Sequence, residues 1–351
     1  MNRDLYIKAN ASASTKEWVR PSDWLPMPAN ITSADQIFVG LHAVFESGQN
    51  YCAFLFTTSA GQYQVDWGDG TITLHNSNTI AQKNYDYSTI SNSTLCSRGY
   101  KQVIIKVTPV SGNLQTCNFQ QRFATTPAQN QPYATGFLDC ILSIPNATSI
   151  TFGGTTIRHS YVERFDVKTI GNVTNMSSMF NSCLSLQSVP LFNTQNVTAM
   201  SSMFASCTSL QSVPLFNTQN VTSMSNMFNG CYSLQSVPLF NTQNVNNMDS
   251  MFRICSSLNF IPNFNTTSGT NFTNFAIGCN SLDRCTTIFR NSVVLQNCQL
   301  SKDALVEVFT NLIDSTSTTS ATIDITGNWG AAALTSADRL IATNKNWTII
   351  G

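Results

Sequence analysis

Charge is scarce in this chain. Only 10% of its 351 residues are Asp, Glu, Lys or Arg, against about 25% in an average soluble domain, and the 18 basic and 18 acidic residues cancel. Without a net positive field there is no electrostatic hold on phosphate backbones or anionic lipid, which excludes nucleic acid and membrane surfaces as main partners. Histidine is scarcer still, with His42, His75 and His159 the complete set. No Gly-x-Ser-x-Gly elbow, Walker loop or Cys-x-x-Cys pair occurs, so the usual signatures of acyl transfer, nucleotide binding and zinc are missing. No stretch approaches the roughly 18 apolar residues of a membrane span. The opening residues, Met1 to Lys8, lack the apolar core of a signal peptide. The expectation is a protein made in the cytoplasm, without membrane insertion, cofactor or metal.

What the chain has is repetition. Ser-Leu-Gln-Ser-Val-Pro-Leu-Phe-Asn-Thr-Gln-Asn-Val begins at Ser185, Ser209 and Ser233, a 24-residue period regular from 173 to 279. On the same register stand Cys183, Cys207, Cys231, Cys255 and Cys279, and Met-Phe pairs from Met179/Phe180 to Met251/Phe252. A unit this short cannot bury its own apolar face, so the coils must stack into a solenoid. Within a coil, Met200, Met203, Phe204 and Cys207 have helical spacing. The spacing then shifts at Leu210, Val213 and Leu215, where β-branched Val213 and the following Pro214 point to a short strand closing in a turn. One short helix and one short strand per coil is the plan expected. The cysteines read as reduced, buried, small hydrophobes in a column. A serine in their place is expected to lack a hydrogen-bond partner and to cost about 1–3 kcal/mol. Asp249 and Arg253, the only charges between Val173 and Cys279, are spaced for a helical ion pair.

The flanks read differently. Residues 1–34 carry Trp18, Trp24 and three prolines without periodicity. That is an extended arm whose tryptophans dock either on the chain's own next unit or on a partner subunit. From 35 to 124 short runs at Ile37–Phe45, Cys52–Thr57, Tyr63–Trp67, Thr71–Leu74 and Tyr100–Val107, rich in Val, Ile, Phe and Tyr, point to a β-sandwich. Trp67-Gly68-Asp69-Gly70 is its strongest turn signal, with Trp67 expected in the core. Asp66 and Asp69 suit a turn better than a calcium ion. The solenoid is placed at 125–300 with irregular first coils. A C-terminal α/β cap over 301–351 starts with a helix from Ser301 to Ile313.

Two resemblances attach to these residues. Trp67-Gly68-Asp69-Gly70-Thr71, with Tyr63-x-Val65 before it and Gly99-Tyr100-x-x-Val103-x-Ile105-x-Val107 after it, resembles the PKD-type immunoglobulin-like domain. That family implies a sandwich spacer without catalysis. The coils, with Asn-Val-Thr-x-Met followed by Met-Phe-x-x-Cys, resemble the BspA-like leucine-rich repeat of bacterial surface proteins, which implies adhesion or protein recognition. A chain joining both without an export signal looks similar to tail-fibre and other virion proteins of large bacteriophages, particularly cyanophages. The expected function is therefore a non-enzymatic virion structural protein, with a bacterial surface adhesin as the alternative. The partners expected are other virion proteins through the arm, a host-surface glycan or protein, and further copies in a homo-oligomer.

Catalysis finds no support in the coils, which lack the paired carboxylates a sugar-cleaving groove needs. The binding face is expected on the strand positions between inward Leu210, Val213 and Leu215. In the three identical copies these are Gln187, Ser188, Gln211, Ser212, Gln235 and Ser236. Stacked rows of neutral amides and hydroxyls suit uncharged ligands, and repetition adds weak contacts by avidity. The same rows could equally be solvated edges or packing surfaces in a virion lattice.

Overall fold

Alternating apolar residues build the first half of the molecule. The computed structural model describes residues 18–47, 50–123, 136–155, 157–315 and 320–351. Ten strands come first: β1 (Ile37–Val44), β2 (Tyr51–Thr58), β3 (Gln62–Asp66), β4 (Ile72–Asn76), β5 (Thr79–Asn84), β6 (Lys101–Pro109), β7 (Leu114–Asn118), β8 (Phe137–Ser143), β9 (Ser149–Thr151) and β10 (Arg164–Thr169). They form a six-stranded sheet, ordered β10-β8-β1-β6-β3-β4, and a four-stranded sheet, ordered β5-β2-β7-β9. Rings from the two sheets meet across the gap, Phe38 on Phe54 and Phe54 on Trp67.

β1 is buried along nearly its whole length because it is covered on both sides. Phe38 and Val44 face the core shared with the second sheet. Leu41 and Ala43 meet Trp24, with Trp18 and Leu25 packed alongside. The arm from Trp18 onward therefore docks on the chain's own sheet. The Trp24 indole N–H donates to the Tyr100 hydroxyl at 3.0 Å, and Arg20 pairs with buried Asp139 at 2.9 Å. Residues 1–17 of the expected arm lie outside the described residues.

Trp67 to Thr71 closes β3 onto β4, with the Trp67 N–H donating to the Thr71 carbonyl at 3.0 Å. Gly68 and Gly70 take φ of 75° and 88°, which β-carbon-bearing residues rarely adopt. Trp67 is buried and its indole N–H donates to the Thr73 hydroxyl. The Asp69 carboxylate accepts from Thr71 and pairs with Lys83 at 2.6 Å, while Asp66 accepts from the Gly68 N–H.

The solenoid grows directly out of both sheets. β8, which falls inside the stretch read from the sequence as first coils, pairs antiparallel with β1 and parallel with β10. β10 in turn bridges to Ser188 of the next coil. On the other side β7 pairs parallel with β9, and Gly153 and Gly154 donate to Met179 and Asn181 one coil on. One apolar core runs unbroken from Phe38 to Trp347.

The molecule is mostly β, with few helices, and its solenoid has about eight turns. Coils bridge in parallel at Asn175, Ala199, Ser223, Asn247 and Asn271, then Phe272 bridges to β13 (Val293–Val294). β11 (Phe260–Ile261) and β12 (Arg284–Cys285) form a second short parallel pair.

The expected helix at Met200–Cys207 is absent. The segment is instead two consecutive turns, with the Met203 N–H donating to the Met200 carbonyl and the Cys207 N–H to the Phe204 carbonyl. Ser202 and Ser206 sit at φ of 56° and 61°, the type II pattern with a left-handed third residue. Between those bonds the Met200, Ser202, Phe204 and Ser206 N–H groups donate to the next coil, which a helix would forbid. A repeat of four-residue turns mimics the three-and-four spacing of a helix, and the shared spacing explains the misreading. Asp249 and Arg253 correspondingly form no ion pair among the described residues, and Asp249 accepts from Ser250 instead.

At the C-terminal end α1 (Lys302–Asn311) is capped by Ser301, whose hydroxyl accepts from the Ala304 N–H. α2 (Ser336–Thr343) has a reciprocal capping box between Thr335 and Asp338. β13, β14 (Ala321–Asp324) and β15 (Trp347–Ile350) are parallel neighbours. Val293, Ile323 and Ile349 thereby continue the coil ladder, with a helix closing each of the last turns.

Candidate functional site

Each regular coil turns the same residues inward. Val221, Met224, Met227, Phe228, Cys231 and Leu234 are fully buried, and Phe240 nearly so. Phe204, Phe228 and Phe252 stack almost face to face, 5.8 Å apart with interplanar angles of 1° and 4°.

The five laddered cysteines are free and buried. The thiols of Cys207, Cys231 and Cys255 each donate at 3.0 Å to the carbonyl of Phe180, Phe204 and Phe228 in the preceding coil, and Cys279 donates to Phe252 at 2.9 Å. A hydroxyl at these positions therefore has a partner waiting, contrary to the sequence-based expectation. Burial pushes the Cys207 and Cys255 thiols far above their usual range, so they are poor nucleophiles and metal ligands.

A second column escaped the sequence reading. Thr194, Thr218 and Thr242 are buried, and their hydroxyls donate at 2.8 Å to the carbonyls of Asn217, Asn241 and Asn265 in the next coil. The identical Asn-Thr-Gln-Asn copies contained the signal, since a threonine repeated without variation beside a buried phenylalanine column needs a fixed partner.

The predicted face is present in part. Gln187, Ser188, Gln211, Ser212 and Gln235 are half-buried and Ser236 is exposed. The Gln211 N–H donates to the Gln187 carbonyl and Gln235 to Gln211, so the residues do stand one above another. The row continues through Asn259 to Asp283 at one end and Glu163 at the other. Charges thus bracket a strip that carries none.

Leu215 does not point inward. It is 58% exposed, as is Leu239, and Leu191 is 64% exposed. The reason is local: the Phe216 N–H donates to the Pro214 carbonyl at 2.9 Å, and Phe240 to Pro238 likewise. That three-residue turn breaks the strand alternation, throws the leucine outward and drives the phenylalanine into the core. The strip is therefore an apolar ridge of Leu191, Leu215 and Leu239 beside the rows of glutamine and serine.

His42 and His159 are buried in the first half of the molecule, and burial lowers them to about 4 and about 3. His75 stacks on Tyr63 and contacts the Thr73 hydroxyl. No group of three or more His, Cys, Asp or Glu residues able to hold a metal occurs among the described residues, and no described helix is long and apolar enough to cross a membrane.

One family model, described as Mycoplasma protein of unknown function, DUF285, matches residues 147–261 and again 211–310. The match covers the regular coils and leaves out β1 to β8 at one end and β14 and β15 at the other. Together with the solenoid it fits a BspA-like repeat protein. No curated protein matches the chain.

Proposed function

We propose that this protein is a non-enzymatic recognition element, a virion structural component of the bacteriophage type its sequence resembles, in which the solenoid is displayed and the first unit holds it in place. The observation that carries this reading is the strip on the identical coils. Three copies of one surface, each with an outward leucine, a glutamine and a serine, lie in register without a charge among them. Such a surface contributes many weak contacts to a regular or extended partner, and they multiply when several engage together. The pair of facing sheets is read as a PKD-like, immunoglobulin-like spacer, in keeping with its Trp67-to-Thr71 hairpin. The arm's first residues are assigned to attachment on the particle.

A second reading, a bacterial surface adhesin, is favoured by the family match, whose description names Mycoplasma. Both readings use the same strip, and one experiment tests it. Labelled protein is bound to a panel of intact bacterial cells, and the triple variant Gln187→Glu, Gln211→Glu, Gln235→Glu is compared with it. The expected result is saturable binding that the variant loses at unchanged melting temperature. Binding retained by the variant removes the strip as the contact surface. If assembly of particles fails while cell binding persists, the strip is a packing surface instead.

A further inference from the structure

Away from the strip, at the last coils, lies a shallow cavity of about 510 Å³ lined by Asn280, Asn297, Cys298, Gln299, Gly327 and Trp329. Trp329 is 74% exposed, whereas Trp24, Trp67 and Trp347 are buried and Trp18 half-buried. Leaving an indole in water forgoes the burial that normally stabilises so large a side chain, so its presentation calls for a reason.

The ring is also held in place. Its N–H donates to the Gln299 carbonyl at 2.7 Å. The preceding residue, Asn328, is 5% exposed. Its side chain donates to the Leu295 and Ile325 carbonyls and accepts from the Leu300 N–H. The loop is therefore fixed before any ligand arrives, which lowers the entropy lost on binding.

The chemistry of the lining selects the ligand. With its one polar atom engaged by Gln299, the indole offers a flat apolar face and nothing else. Beside it the amides of Asn280, Asn297 and Gln299, all on exposed residues, make no side-chain hydrogen bond among the described residues. Each offers both a donor and an acceptor. No charged side chain lines the cavity. A ligand that matches has an apolar face set against a rim of hydroxyls and carries no charge.

We propose that Trp329 and the amides of Asn280, Asn297 and Gln299 form a binding site for a neutral saccharide, with one sugar face stacked on the indole and its hydroxyls on the amides. The site is separate from the glutamine and leucine strip and stands or falls independently of it.

The test is a titration of the full chain with neutral mono- and disaccharides, built from glucose, galactose, mannose and N-acetylglucosamine, at millimolar concentration. Acrylamide quenching of tryptophan fluorescence and ligand-observed NMR report the binding. Because Trp329 is the exposed indole among those described, a bound sugar shields it and lowers the quenching. The expected result is saturable binding to at least one of these sugars, weakened more than tenfold in Trp329→Ala and about tenfold in Asn280→Ala, at unchanged melting temperature. The triple glutamine variant of the strip binds the sugar as wild type does. Failure of every sugar in the panel overturns the proposal, as does binding that survives Trp329→Ala. A preference for sialylated or sulfated glycans, or for nucleosides, overturns the neutral-saccharide assignment.

Discussion

Replacing Cys231 separates two accounts of the cysteine column. If the buried position offered no partner, a serine hydroxyl would carry its full desolvation penalty of about 1–3 kcal/mol, and Cys231→Ser would be worse than Cys231→Ala. The structure reverses the order. The Phe204 carbonyl lies 3.0 Å from the Cys231 thiol and also accepts the Cys207 N–H within its own turn. Its second lone pair is thus directed at the side chain. A hydroxyl regains about 0.5–1.5 kcal/mol by making that bond. Alanine removes one heavy atom from a fully buried site, losing about 0.8 kcal/mol of transfer energy plus a cavity term. Cys231→Ala is therefore expected to destabilise by about 1–2 kcal/mol and Cys231→Ser by no more than that. Urea denaturation followed by far-UV circular dichroism measures both, provided the slope with denaturant is unchanged. A serine variant more than about 1 kcal/mol less stable than the alanine variant refutes the carbonyl as a partner.

Acid should weaken the first half of the molecule through His42. Its folded pKa of about 4 lies below the ordinary 6.5 because burial disfavours the charged ring, so at pH 7 it adds full stability. The unfolded chain then binds a proton first as pH falls, and about 3 kcal/mol is lost between pH 6.5 and 4. Melting across that range should show the loss, and His42→Gln should reduce it; an equal slope in the variant argues against burial as the cause. Gly68→Ala is expected to cost well over 2 kcal/mol, because a Cβ would lie 2.4 Å from the Ile104 carbonyl oxygen at a left-handed φ. At Gly70 a Cβ meets nothing within 4 Å, leaving only the backbone cost of about 1–2 kcal/mol. Equal losses at the two glycines contradict the close-approach argument. Ile254 sits at φ 59° where neighbouring coils place Ser206, Gly230 and Gly278. Ile254→Gly should stay within about 1 kcal/mol of wild type, because relief of about 1–2 kcal/mol of strain offsets the lost packing. A loss above 2 kcal/mol in the same denaturation assay rules the strain out.

The sequence made the repeat, its inward Met, Phe, Cys and Leu positions, and the Trp67 hairpin readable, because each is a local pattern repeated or enforced by one residue type. It misled where a pattern has two causes. Met200, Met203, Phe204 and Cys207 have the same spacing in a helix as in two turns, and only the bonds to the next coil decide between them. Leu215 and Phe216 are both apolar, and the turn at Pro214 that sends one out and the other in has no counterpart in alternation. Of the candidate strip, the glutamine and serine rows were legible and the leucine ridge was not. The pairing of β8 with β1 lies across nearly 100 residues of chain and leaves no local trace. The cavity at Trp329 is assembled from three separate coils and was invisible for the same reason.

The three identical copies make the solenoid a ruler. A coil between Ser185 and Ser233 meets the same Ser-Leu-Gln-Ser-Val-Pro-Leu-Phe-Asn-Thr-Gln-Asn-Val stretch and the same inward Met, Phe and Cys above and below itself, so excising 24 residues in register rejoins core surfaces that already fit, and inserting 24 does the same. Each such event shifts Trp329 relative to the first unit by about one strand spacing, roughly 4.8 Å, and leaves both ends unchanged. Genetic recombination between the copies can therefore vary the reach of the molecule in uniform steps without inventing a new core.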